Sequence, residues 1–159
     1  MSLAKDSRAK DSRQIAGPAR YDEDFTAWAF EQAELLRRGQ LADADLPHLA
    51  EEIESLGNEQ IHALESFYTL LIFHLLKWQF QPDRRSRSWD LTIYNARDQI
   101  ARREKRNPTL RAGAEEIVKD IYSQARGSAA KETGLSIDTF PGNCPYSLDF
   151  LRDQNAMPE

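Results

Sequence analysis

From Leu49 to Trp78 the chain repeats one spacing. Leu49, Ile53, Leu56, Gln60, Leu64, Phe67, Leu71, His74 and Trp78 follow one another in steps of three or four residues. A half-buried strand alternates with period two, so this register belongs to an α-helix. Asp45 is placed to cap the helix, with Pro47 in its first turn, where the missing N–H costs nothing. Unbroken to Phe80, it would be about 50 Å long at 1.5 Å per residue. Gly57-Asn58 marks the point at which a kink or break would fall. Beyond Ile61 the segment is apolar on most sides, which makes its second half the central, most buried element.

The flanking segments also read as helices. Residues 1–20 hold little to bury, end in Gly17-Pro18 and are expected to be a polar, mobile tail. Asp22 or Asp24 can cap a helix that buries Phe25, Trp28, Ala29, Gln32, Leu35 and Leu36, with Gly39 placed to end it. Gln81-Pro82 stops the central helix. Ser86 or Ser88 then caps another, lined by Trp89, Ile93, Ala96 and Ile100, whose polar end ARREKRN precedes Pro108. A further helix runs from about Thr109 or Ala114 to Thr133, and Gly134-Leu135 has the form of a Schellman close. A loop with two prolines and a short helix capped by Ser147 complete the chain. The expected fold is all-α, an antiparallel helical bundle of about four to five main helices with a loop-rich C-terminal end. Residues 21–159 form its single helical domain.

Composition agrees with that class. A chain of 159 residues with 40% hydrophobic and 30% charged side chains can bury a sizeable core. The longest apolar run, Phe67 to Leu76, is too short to span a bilayer, and the N-terminus lacks the apolar stretch of a secretory signal. One cysteine fits a reducing compartment, so a cytoplasmic location without membrane contact is expected. Charge is segregated. Residues 22–65 carry twelve acidic and two basic side chains, while residues 66–111 carry ten basic and four acidic. The plainer reading is that the acidic and basic arms pack antiparallel and neutralise each other. The sharper one is a basic face free to meet phosphate.

Candidate chemistry gathers at few points. His48 with Glu51 or Glu52, and Glu59 with His62, each put a carboxylate and an imidazole on one helix face. A di-iron bundle needs two Glu-x-x-His pairs on separate helices, whereas these share one helix, so neither metal nor cofactor is expected. His74 lies on the apolar face and reads as a core histidine hydrogen-bonded to a neighbouring helix; a lowered pKa would leave it a possible base. Cys144, in FPGNCPY, reads as a small buried apolar residue. The corner HLLKWQFQPDRRSRSW (74–89) sets Lys77, Arg84, Arg85 and Arg87 beside Trp78 and Trp89, just before a helix N-terminus. That arrangement suits an anion or a partner. The competing reading pairs these cations with Glu51, Glu52 and Glu54.

The segments AEEIESLGNEQ (50–60), HLLKWQFQPDRRSRSW (74–89), ARDQIARR (96–103) and ETGLSIDTFPGNCPY (132–146) stand in the order found in a bacterial family known as "domain of unknown function 29". The chain resembles that family over residues 21–159. The resemblance implies an all-α bacterial protein and brings no activity, cofactor or catalytic residue. It marks Glu51, Glu52, Glu54, Gly57, His74, Lys77, Trp78, Pro82, Arg84, Arg85, Ser86, Ser88 and Trp89 as motif positions, with Cys144 in the closing motif. The leading expectation is a non-enzymatic helical interaction module in a bacterial cytoplasm, meeting a protein partner or a second copy. The first alternative is nucleic-acid or phosphate-ligand binding through the Arg84–Arg87 corner, which is not favoured. The second is a metal- or His-dependent enzyme built from the acidic 51–59 segment and His74.

Overall fold

The computed structural model describes residues 19–159. All but the last two residues of the expected 1–20 tail lie outside the described residues. Six α-helices carry the fold: α1 (Phe25–Arg37), α2 (Leu46–Phe80), α3 (Arg87–Arg106), α4 (Pro108–Ala112), α5 (Ala114–Thr133) and α6 (Leu148–Arg152). Single 3₁₀ turns lie at Leu41–Asp43, Pro82–Arg84 and Ile137–Thr139. There is no strand among the described residues, and the fold is an all-α helical bundle.

Local chemistry sets the ends. Asp24 caps α1 by accepting from the Ala27 N–H at 3.0 Å. Gly39, at φ 69°, closes α1 in the left-handed region that glycine enters without strain. Ser86, rather than Ser88, caps α3, accepting from the Trp89 N–H at 3.2 Å, and Ser147 caps α6 in the same way. Pro108 begins α4, and Gly113 separates α4 from α5. Gly134, at φ 72°, ends α5 with its N–H on the Ala130 carbonyl. The Leu135 N–H goes to the Thr133 hydroxyl at 3.2 Å, so the close is a single-bond left-handed cap in place of the expected Schellman pair.

α2 passes through Gly57 without a break. One glycine costs a helix only about 1 kcal/mol relative to alanine. The hydrogen-bonded turns on both sides outweigh that cost, and the helix does not break at the point where a break would fall.

The chain divides into two compact units, the first ending at Glu54 and the second running from Ser55 to Glu159. In the first, α1 lies against the opening turns of α2, where Trp28 and Gln32 are buried. In the second, α3 returns antiparallel to α2, so Gln60 meets Arg103, Tyr68 meets Glu104, and Lys77 meets Trp89. α5 completes a three-helix core of Leu64, Leu71, Leu75, Ile93, Ile100 and Ala125, closed at one side by Phe140, Tyr146 and Leu151. Among the described residues no ion pair joins the acidic segment 22–65 to the basic segment 66–111. Residues 46–65 of the one and 66–80 of the other are consecutive turns of the same helix, and only α3 of the basic segment returns alongside the acidic one.

Candidate functional site

The α2–α3 corner was the strongest sequence candidate, and its side chains separate into inward and outward sets. Lys77 is only 3% exposed. Its ammonium bonds Glu132 of α5 and lies over the rings of Trp89, at 4.3 Å, and Phe73, at 4.8 Å. A buried cation needs such a counter-charge and ring faces. Lys77 is therefore withdrawn from the surface on which an anion or partner would find it. Arg85 folds back, donating to the Trp78 carbonyl at 2.9 Å with its guanidinium 5.3 Å above the Trp78 ring, and so satisfies one of the last carbonyls of α2. Arg84 and Arg87 are exposed. Among the described residues neither they nor Arg85 pairs with a carboxylate. The pairing expected with Glu51, Glu52 and Glu54 is not made. Those glutamates and the corner lie toward opposite ends of one unbroken helix.

His74 is half-buried, and its Nδ1 donates to the Leu70 carbonyl of its own helix at 3.0 Å, not to a neighbouring helix as expected. Its ring meets Phe73 edge-on. Burial, aided by the Lys77 charge, lowers its pKa. Beside it, α2 and α5 wall a groove of about 710 Å³ with Leu70, Phe73 and Ile121 on its floor and Glu65 and Lys131 among its polar residues. Cys144 lines a second cavity of about 590 Å³ with Tyr122 and Arg126. Its thiol donates to the Tyr146 carbonyl at 3.6 Å, and burial raises its pKa.

The histidines of the acidic segment are committed elsewhere. Asp45 accepts from the Trp28 indole N–H at 3.1 Å and meets His48 Nδ1 at 2.7 Å. The His48 ring stacks on Tyr21 with centroids 4.0 Å apart, and the Tyr21 hydroxyl donates to Glu52. The bond from Asp45 raises the His48 pKa, and that from His48 lowers the Asp45 pKa; Glu52 pushes Tyr21 up to about 12. His62 takes Glu65, not Glu59. This cluster bolts α1 to the start of α2. Among the described residues there is no group of three His, Cys, Asp or Glu fit to hold a metal ion.

Two buried charges escaped the sequence reading. Glu104 is 1% exposed, accepting from the Tyr68 hydroxyl at 2.6 Å and from Arg152 Nε and Nη2 at 2.9 and 3.0 Å. Arg97 is 2% exposed and donates to the Leu151 and Phe150 carbonyls, each at 3.0 Å. Together they fasten α6 to the bundle. The Arg97 guanidinium is interior and does not join the basic surface of α3.

The seam that begins at Leu46 is covered at one end only. Leu64 and Leu71 are fully buried, whereas Leu46, Ile53 (64% exposed) and Leu56 (60%) stand in the open. Every residue from Ile53 to Glu59 is exposed. Glu51, Glu54 and Glu59 make no ion pair or side-chain hydrogen bond among the described residues. On α3, Leu91 (48%) and Tyr94 (56%) are likewise exposed, on the side turned away from Ile93, Ala96 and Ile100.

The family model described as "Domain of unknown function DUF29" matches residues 20–156. The chain belongs to the DUF29 family. No curated protein and no solved structure matches it.

The DUF29 motif positions named above fall into three groups. Trp78, Pro82, Arg85, Ser86 and Trp89 build the corner between α2 and α3, Lys77 supports it from within, and His74 bonds back to its own helix. Glu52 ties Tyr21 to α2. Glu51, Glu54, Gly57, Arg84 and Ser88 are exposed, and none of them makes a side-chain hydrogen bond or ion pair among the described residues. None of the cavities described here is lined by Arg84, Arg85 or Arg87. Among the described residues no helix is long and apolar enough to cross a membrane.

Proposed function

We propose that this DUF29 chain is a non-enzymatic helical interaction module of a bacterial cytoplasm, and that the α2 seam Leu46–Leu49–Ile53–Leu56–Gln60 is its docking face. The observation that carries the reading is the exposure of Ile53 and Leu56, at 64% and 60%, on a face that is core only two turns later. An isolated helical turn is marginal in water, and a glycine weakens it further. A two-turn stretch bare on every side, apolar along one stripe and containing Gly57, gains stability when that stripe is covered. Glu54 flanks the stripe on one side and Glu59 on the other, so the occupant is an amphipathic helix with basic flanks. The single cysteine supports a reducing location.

Photo-crosslinking from position 56 in producing cells tests this, with Lys119, exposed on α5, as the control position. The expected result is an adduct from position 56 only, its crosslinked peptide a basic amphipathic helix. Equal labelling from both positions, or no adduct from 56, overturns the proposal.

The guanidinium groups of Arg84 and Arg87, unpaired among the described residues, favour a second reading, phosphate or nucleic-acid binding. It requires affinity that falls steeply with salt and is lost in Arg84→Ala with Arg87→Ala.

A further inference from the structure

We infer that the side of the second unit on which α2 and α5 wall the groove of about 710 Å³ is covered by the same side of a second copy of this chain, with the helices antiparallel across a two-fold axis. The face lies wholly within residues 55–159 and is separate from the seam proposed above.

The groove is lined by α2 and α5 alone among the described residues. Leu70 is 36% exposed at its edge, and Phe73 is half-buried beside it. α3 and the segment of Phe140, Tyr146 and Leu151 close other sides of the same core.

α2 and α5 run parallel here. Lys77 bonds Glu132, and Gln81 donates to the Thr133 carbonyl, so each α2 residue stands level with the α5 residue about 55 positions later. On that register Glu65 and Asp120 share one end of the groove. Lys131 marks the other end, three helical turns or about 17 Å away.

The two ends carry opposite charge. Glu65 has only His62 as a neighbour, with Nδ1 at 3.0 Å, and Asp120 is exposed without an ion pair among the described residues, so that end is acidic. Lys131 is exposed and likewise unpaired, while the charge of Glu132 beside it is answered by Lys77. Between the ends the lining of Ser66, Thr69, Leu70, Phe73, Gln124 and Ser128 is uncharged.

Such a face complements itself. A two-fold axis crossing α5 between Gln124 and Gly127 brings Lys131 of each copy to the Glu65 and Asp120 end of the other. The spacing agrees of necessity, because both copies use the same two points. A parallel arrangement would set Lys131 against Lys131, so charge also fixes the direction.

A glycine points the same way. Asp120, Gln124, Gly127 and Lys131 recur at steps of four, three and four, so they share one stripe of α5. Gly127 is interior to the helix, where glycine is a weaker choice than alanine, yet a Cβ there would meet nothing within 4 Å. No described residue needs that space. The close approach of a second α5 does.

The test is a charge swap read by sedimentation equilibrium on the full chain. One variant carries Lys131→Glu, which makes both ends acidic. The other carries Glu65→Gln with Asp120→Lys, which makes both ends basic. None of these positions is buried, so helix content by circular dichroism should match wild type. Wild type should show a concentration-dependent doubling of mass. Each variant alone should keep the monomer mass, and an equimolar mixture should recover the doubled mass, because both contacts again join opposite charges. Gly127→Leu, unopposed within the chain, should keep the monomer mass without any change of charge. Wild type monomeric throughout, assembly of any variant alone, or a mixture that stays monomeric overturns the inference. The crosslinking from position 56 reads a different face, so its outcome is independent of this one.

Discussion

Replacing Glu104 by alanine removes the acceptor at the centre of the second unit's polar network. The Tyr68 hydroxyl loses its partner at 2.6 Å, and Arg152 loses two bonds at 2.9 and 3.0 Å. Tyr68 is fully buried, so its hydroxyl has no water to turn to. An unsatisfied buried hydroxyl costs about 1–3 kcal/mol. Breaking a buried ion pair from one side costs about 3–5 kcal/mol. Arg152 keeps 22% of its side-chain surface exposed and recovers part of its hydration, so the combined loss should be about 4 kcal/mol. That is a large share of the roughly 5–15 kcal/mol by which a domain is stable. Urea unfolding followed by far-ultraviolet circular dichroism measures it as a lower midpoint at unchanged slope. Removing all three groups together, as Glu104→Leu with Tyr68→Phe and Arg152→Leu, should cost much less than the single change, since no polar atom is then stranded. A Glu104→Ala loss of unfolding free energy below about 1 kcal/mol would refute the reasoning, as would a triple variant no better than the single one.

Other perturbations have definite signs. Gly57→Ala should raise stability by about 0.5–1 kcal/mol in urea unfolding of the monomer, because the glycine is helical and a Cβ there meets nothing within 4 Å. A proton NMR titration should place the His48 midpoint above 6.5 and the His74 midpoint below 6.5, the first raised by Asp45 and the second lowered by burial. A raised His48 pKa contributes stability that is whole below 6.5 and lost as pH rises through the folded value. The lowered Asp45 pKa contributes stability present above 3.8 and lost as pH falls through its folded value. Melting of the α1–α2 junction should therefore be most resisted between those limits, a dependence that His48→Gln flattens. The Cys144 thiol should react with a disulfide reagent at neutral pH more slowly than a free thiol, because burial keeps it protonated; an equal rate would contradict its environment.

Helix ends were legible because they are set within a few residues. The Asp24, Asp45, Ser86 and Ser147 caps, the stop at Pro82 and the left-handed Gly39 and Gly134 each depend on one side chain and its own turn. The central helix was legible because its spacing holds for more than eight turns. Interior charges were harder to read, because a partner far along the chain decides their fate. Glu104 meets Arg152 48 residues away, and Lys77 meets Glu132 55 residues away. A signal existed: Ile93, Arg97, Ile100 and Glu104 step by four, three and four, so both charges occupy the interior stripe of α3. Lys77 gave a similar sign, standing on a helix that is apolar on most sides from Ile61 onward. Periodicity could not show where the seam of α2 stops being covered. Leu56 and Leu64 have the same character and the same phase, and only the positions of α3 and α5 decide which is buried.

The account turns on the bare turns of α2, and amide hydrogen exchange along that helix tests them most directly. The amides from Ile53 to Glu59 should exchange far faster than those from Leu64 to Leu76, because no described residue covers them. Protection of residues 53–59 that equals that of the core would contradict the account.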